Sequence, residues 1–377
     1  MTRGAVIVRE RLRFWFLAWV FSALLILTFG VVSYAAETRS YVVSWYGHAT
    51  NSQEGDCSRG VHPDIVEIYV QYLEHHGLSP SRIEELYEEY INGNRGPVSN
   101  MMAMRGRIDG KPVDGLLFPA SVVDLNLPGV DGKYAYGFDL DQLGPNDPDG
   151  FEDPITHEVG IDHQLYRALG CARLFRGTLE EPPVYWAWSW DQLDGSQPAW
   201  LITITGEDLD NDGPVIITIN RALEHLRINN DSSPRSHMSY RTDPDPRSQN
   251  TFEGEIENGV IRVTDHRELF LLQNPLVAPV MKLANFHLRL KERLDGNLEG
   301  FMAGYQPWHD IYWAFGSLGV EGEQMVSNDA TQFYHLLKRY ADAHPDPVSG
   351  QNKSISATYY LEAVPAYIYP AIENQQP

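Results

Sequence analysis

Residues Ala284–Tyr305 read ANFHLRLKERLDGNLEGFMAGY. Phe286, Leu288 and Leu290 alternate with His287, Arg289 and Lys291, the period-two pattern of a strand with one apolar face. Asp295-Gly296 supplies a turn that needs positive φ, and Leu298–Tyr305 returns as the partner strand. Gly300 and Gly304 on the return strand permit close approach or a bulge. This hairpin sets the fold class, because the same texture recurs on both sides of it.

Short apolar runs alternate with Gly, Pro, Asn and Asp clusters from about residue 115 onward. Gly115–Val123, Val184–Trp190, Ala199–Thr205, Val215–Asn220 and Val260–Thr264 read as strands, and Ile355–Ile368 as one or two closing strands. Tyr41–Tyr46 (YVVSWY) is a strand ahead of them. This spacing predicts a mainly β protein, an antiparallel sandwich or jelly-roll-like core with several appended helices. Helices are expected over Pro63–His76, over Pro80–Asn92 with Ser79 as N-cap, over Asp162–Leu169, over Trp308–Phe315 and over Ala330–Ala343 behind Asp329. Asn229–Asn250, rich in Ser, Pro, Asp and Arg, reads as a long exposed loop. The resulting division is residues 1–35 as an export segment, 36–115 as a mixed N-terminal region with two helices, and 116–377 as a β-rich main domain.

The export segment rests on composition. Arg3, Arg9, Arg11 and Arg13 precede Phe14–Val32, which holds no charge, and Ser33-Tyr34-Ala35 offers a small-x-small cleavage site. The apolar stretch also just reaches spanning length, so an uncleaved anchor is the alternative, and membrane contact is then confined to it. Either way residues 36–377 are expected to be secreted or periplasmic. The whole chain carries a formal charge of −22, which argues against nucleic acid as a partner and for divalent cations. Outside the cytoplasm, Cys57 and Cys171 are expected to form a disulfide closing a loop of over a hundred residues.

Two aspartate clusters carry the chemistry. Asp139, Asp141, Asn146, Asp147, Asp149 and Asp153 form the first; Asp208, Asp210 and Asp212 form the second. Carboxylates alternating on tight loops turn towards a common point, where Ca²⁺ finds its hard oxygen ligands. The second cluster matches the front of an EF-hand loop, but its twelfth position is Ile219 rather than Glu. Two other chemistries are open. A metal-dependent hydrolase would use His157 as base with Asp162 and His163 beside it. A copper or redox site would use His48, Cys57 and His62. Trp186, Trp188 and Trp190 share one face of a strand, either as core or as a platform for sugar rings. With no enzyme motif in the chain, the first expectation is a calcium-stabilised binding or structural module for an unknown protein or glycan partner.

Five stretches, Gly160–Cys171, Ile204–Asp212, Phe252–Val260, Leu298–Tyr305 and Glu362–Ala366, resemble a family of uncharacterised secreted bacterial proteins. The resemblance runs from about residue 135 onward. It implies export, an aspartate-rich site and a β fold, and it assigns no catalytic residue.

Overall fold

The computed structural model describes residues 36–181, 198–272 and 280–370. Eight strands form its frame: β1 (Glu37–His48), β2 (Pro198–Gly206), β3 (Gly213–His225), β4 (Gln249–Glu257), β5 (Val260–Val263), β6 (Val280–Glu292), β7 (Leu298–Pro307) and β8 (Asn352–Tyr369). Each pairs antiparallel with the next in chain order, and β8 returns to pair antiparallel with β1. The sheet therefore closes on itself as an up-and-down barrel.

This corrects the expected sandwich or jelly roll. Alternating burial along a strand is the same in both architectures, so the pattern could not distinguish them. Closure is decided by one contact: Tyr41 to His48 in β1 align with Pro365 to Tyr359 in β8, with an irregularity between Val43 and Trp45. β1, from the N-terminal mixed region, is thus a stave of the barrel, joined to β2 on its other edge. The described residues from Glu37 onward make one compact unit.

The hairpin at 284–305 forms as read, with β6 and β7 in register from His287↔Ala303 to Glu292↔Leu298. Gly296 sits at φ +81° in its turn. Phe286, Leu288 and Leu290 point into the barrel and are at most 1% exposed. Tyr46 packs on Trp200 and Tyr359 at ring distances of 5.1 and 4.9 Å, and Phe252 on Phe286 at 4.9 Å. Large rings fill the interior, as expected of a small barrel. β4 shows how a strand hides in a polar sequence. Gln249–Glu257 alternates exposed and buried at every step, with Asn250, Phe252, Gly254 and Ile256 inside. It takes the last residues of the expected loop 229–250, which also contains a short strand, Met238–Arg241, parallel to the end of β8. Gly115–Val123 is no strand: it holds a 3₁₀ turn, Pro119–Ser121, that leaves Leu117 and Phe118 exposed.

Among the described residues seven helices accompany the barrel: α1 (Ile65–His75), α2 (Pro80–Ile91), α3 (Gly96–Ala103), α4 (Gln164–Leu169), α5 (Trp308–Gly316), α6 (Gly319–Val326) and α7 (Ala330–Tyr340). Asp64 caps α1 in a capping box with Glu67, Ser79 caps α2, and Asp329 caps α7. α3 and α6, which lack capping side chains, were not legible in the sequence. α4, α5 and α7 pack against β8, and their apolar faces join the barrel interior in one core. Phe175 links the two, touching His48 on the barrel side and Phe315 and Phe333 on the helical side. Between the helices Arg105, 1% exposed, donates to Glu323 at 2.6 Å and lies 3.4 Å from Asp329.

Cys57 and Cys171 form the expected disulfide across 114 residues. Among the described residues no helix is long and apolar enough to cross a membrane. The export segment and the tryptophan stripe Trp186, Trp188 and Trp190 lie outside the described residues.

Candidate metal centre

The first aspartate cluster sits on a chain excursion, residues 134–162, that packs on the outer face of the barrel. Tyr136, Phe138 and Leu140 bury against Phe301 and Ala303 of β7. Residues Phe151–Glu152 and Val159–Ile161 pair as a short hairpin, and Phe138 bridges Asp162. Gly160, at φ +81°, brings this hairpin against the turn at Gly144: a Cβ there would lie 2.2 Å from the Gly144 carbonyl oxygen.

Asp153 anchors the excursion. Fully buried, it accepts from Arg289 at 2.8 Å and from the backbone N–H groups of Ile155, Thr156 and Gly137. Arg289 lies over the Phe138 and Phe301 rings. A residue on the outward face of the hairpin is thereby buried and paired, and Asp153 already has its counter-charge in Arg289. Asp147 accepts from the N–H of Asp149, and Asp149 and Asn146 are exposed. These four members of the cluster do not converge.

Asp139 and Asp141 do converge, with Asp162 as the third member. One oxygen of each lies within 4.8 Å of the others. Local turns hold all three. Asp139 Oδ2 accepts from Gly144 N–H at 3.0 Å, Asp141 Oδ1 from Leu143 N–H at 2.8 Å, and Asp162 Oδ2 from Leu140 and Asp141 N–H at 2.6 and 3.1 Å. The remaining oxygen of Asp139, Oδ1, is enclosed and has no hydrogen-bond partner. A buried acceptor without a donor is costly unless a cation or water serves it.

Two residues remote in sequence complete the surroundings. Asp342, after α7, accepts from Ser356 N–H at 2.8 Å, and Tyr305 of β7 faces the group. Burial lifts the Asp162 carboxyl to about 7, with Asp141 and Asp342 adding repulsion. Burial likewise lifts Asp342 to about 6. Tyr305 is raised by burial and by the field of Asp162, Asp342, Asp141 and Asp139. This is the signature of crowded acids without a compensating charge. The donors are hard oxygens only, which suits Ca²⁺ or Mg²⁺ and not a thiophilic metal. No local signal marks Asp342 or Tyr305; only the packing of β7 and β8 against the excursion brings them in.

The second cluster does not gather. Asp208 accepts from Asp210 N–H and the Asn211 side chain, Asp210 pairs with Arg39 at 2.5 Å, and Asp212 accepts from Asn258 N–H. The three carboxylates answer three different partners. The hydrolase set is dispersed too. His157 is exposed, and its nearest acid is Glu152 at 3.7 Å rather than Asp162. His163 is fully buried, and burial depresses it to about 3. The copper reading fails outright, because Cys57 is in a disulfide and offers no thiolate. His62 instead contacts the Pro128 carbonyl through Nε2 at 2.7 Å.

Compared with known proteins, the chain matches no family model, no curated protein and no solved structure.

Proposed function

We propose that this chain is an extracytoplasmic binding or structural module whose barrel carries a Ca²⁺-stabilised excursion, with Asp139, Asp141 and Asp162 as ligands. The carrying observation is the convergence of these three carboxylates, one with an enclosed oxygen that no protein donor serves. The ion neutralises their mutual repulsion and fastens residues 134–162 to β7 and β8. Its role is structural, since His157 is exposed with Glu152 as its nearest acid and His163 is buried, accepting from Thr358 N–H. The disulfide supports export, because such a bond persists in an oxidising compartment. The partner is a protein or a glycan.

The test is thermal melting of the full chain after chelator treatment, with Ca²⁺ or Mg²⁺ added back. Ca²⁺ at about a hundred times its Kd is expected to stabilise by roughly 2.7 kcal/mol, a rise of several degrees in Tm. In Asp139→Asn/Asp141→Asn that rise should vanish. An unchanged Tm in the parent, or an equal rise in the double variant, would dispose of the proposal.

A further inference from the structure

Away from the acidic excursion, α5, α7 and the 106–121 segment enclose an open groove of about 520 Å³. Its lining is apolar along Ile108, Leu117, Phe118, Pro119 and Ala120, and Tyr334 also lines it. Ile108, Leu117 and Phe118 are 44, 59 and 50% exposed. A concave patch of this kind, unlike single exposed side chains, marks a binding surface.

The charge of this groove runs against the net charge of the chain. The lining contains one permanent cation, Arg107, and no carboxylate, in a chain of formal charge −22. Arg107 is held in place by main-chain acceptors, donating Nη1 to the carbonyls of Met104 and Gly106. Its Nη2 contacts Nδ1 of His76, whose ring burial and the nearby guanidinium keep neutral. Among the described residues Arg107 has no acidic partner. Lys338 adds a second positive charge, standing 5.8 Å from the centre of the Tyr334 ring. Asp114, on the same segment, accepts from Leu116 and Leu117 N–H through its carboxylate. An anion is repelled by most of this surface and drawn to this point on it.

An apolar trough lined in part by a fixed guanidinium with no acidic partner among the described residues calls for a ligand with an apolar body and an anionic head. We propose that the groove binds a single-chain carboxylate amphiphile of the fatty-acid class, with its head on Arg107 and its chain along Leu117, Phe118, Ala120 and Tyr334. The head supplies the anionic partner that Arg107 lacks among the described residues, as a charge-assisted hydrogen bond. The chain covers apolar surface that otherwise faces water.

The test is calorimetric titration of the full chain with laurate below its critical micelle concentration. Saturable one-to-one binding is expected. Arg107→Gln should weaken it by about tenfold or more, with the fold kept and the melting temperature little changed, because Arg107 is exposed and in no ion pair among the described residues. Ala120→Trp leaves the charge in place and fills the trough, and should abolish binding. Dodecanol and dodecyltrimethylammonium share the tail without the anion and should bind far more weakly than laurate. Absence of saturable binding, equal laurate affinity in Arg107→Gln or Ala120→Trp, or equal affinity for the cationic or neutral tail would each overturn the proposal.

Discussion

Replacing Arg105 by Met should be among the most damaging single changes in the helical layer. Arg105 lies between Glu323 at 2.6 Å and Asp329 at 3.4 Å, and the side chains of all three are at most 2% exposed. Glu323 also accepts from Ala330 N–H at 2.8 Å, and Asp329 caps α7 through Gln332 N–H at 2.9 Å. The ion group therefore welds the end of α3 to α6 and to the start of α7. Methionine matches much of the volume but leaves two carboxylates buried without their cation, a loss of roughly 3–5 kcal/mol. The pH dependence has a definite sign. Burial holds Glu323 at about 7, above its unfolded value of 4.5, while Arg105 pulls it down. Stability from its bound proton is complete below 4.5 and is lost as pH rises through about 7. Without Arg105 the folded value climbs further, so variant and parent diverge most above pH 7. The extra deficit between pH 7 and 8.5 is up to about 2 kcal/mol. Equilibrium urea unfolding followed by tryptophan fluorescence at pH 6 and 8.5 measures both quantities. Adding Glu323→Gln should restore part of the loss. A deficit below about 1 kcal/mol at pH 8.5, or no rescue by the second change, would refute the account of Arg105 as the counter-ion of a buried acid pair.

Two further outcomes follow from buried groups. Removing the disulfide as Cys57→Ala/Cys171→Ala opens a loop of 114 residues and should lower stability by about 4–5 kcal/mol in the chain-entropy model; a urea midpoint unmoved by the double change would contradict this. His62 is 2% exposed, and burial depresses it to about 4. Its contribution is intact above its unfolded value near 6.5 and is lost as pH falls towards 4. Between pH 7.5 and 5 the parent should lose about 2 kcal/mol relative to His62→Gln. Parallel pH–stability curves for the two proteins would show that His62 is not held neutral by the fold.

The sequence by itself determined the local elements. Period-two alternation announced the 284–305 hairpin, and Asp295-Gly296 its turn. Ser79 and Asp329 announced helix starts, and two cysteines announced their bond. Each is written in neighbours a few residues apart. Only the tertiary structure decided the rest. Whether the sheet closes depends on β8 meeting β1 some three hundred residues away, and both a sandwich and a barrel satisfy the same alternation. Arg289 reads as a solvent-facing residue until the 134–162 excursion covers it and supplies Asp153. In the aspartate clusters the sequence shows which acids are close in number but not which face one another. A turn directs one carboxylate to its own backbone and the next to a distant arginine, so Asp139 and Asp141 meet Asp162 and approach Asp342, while Asp208, Asp210 and Asp212 diverge. Crowding of charge is a property of distances in space, and the chain sets those only once β7 and β8 are packed.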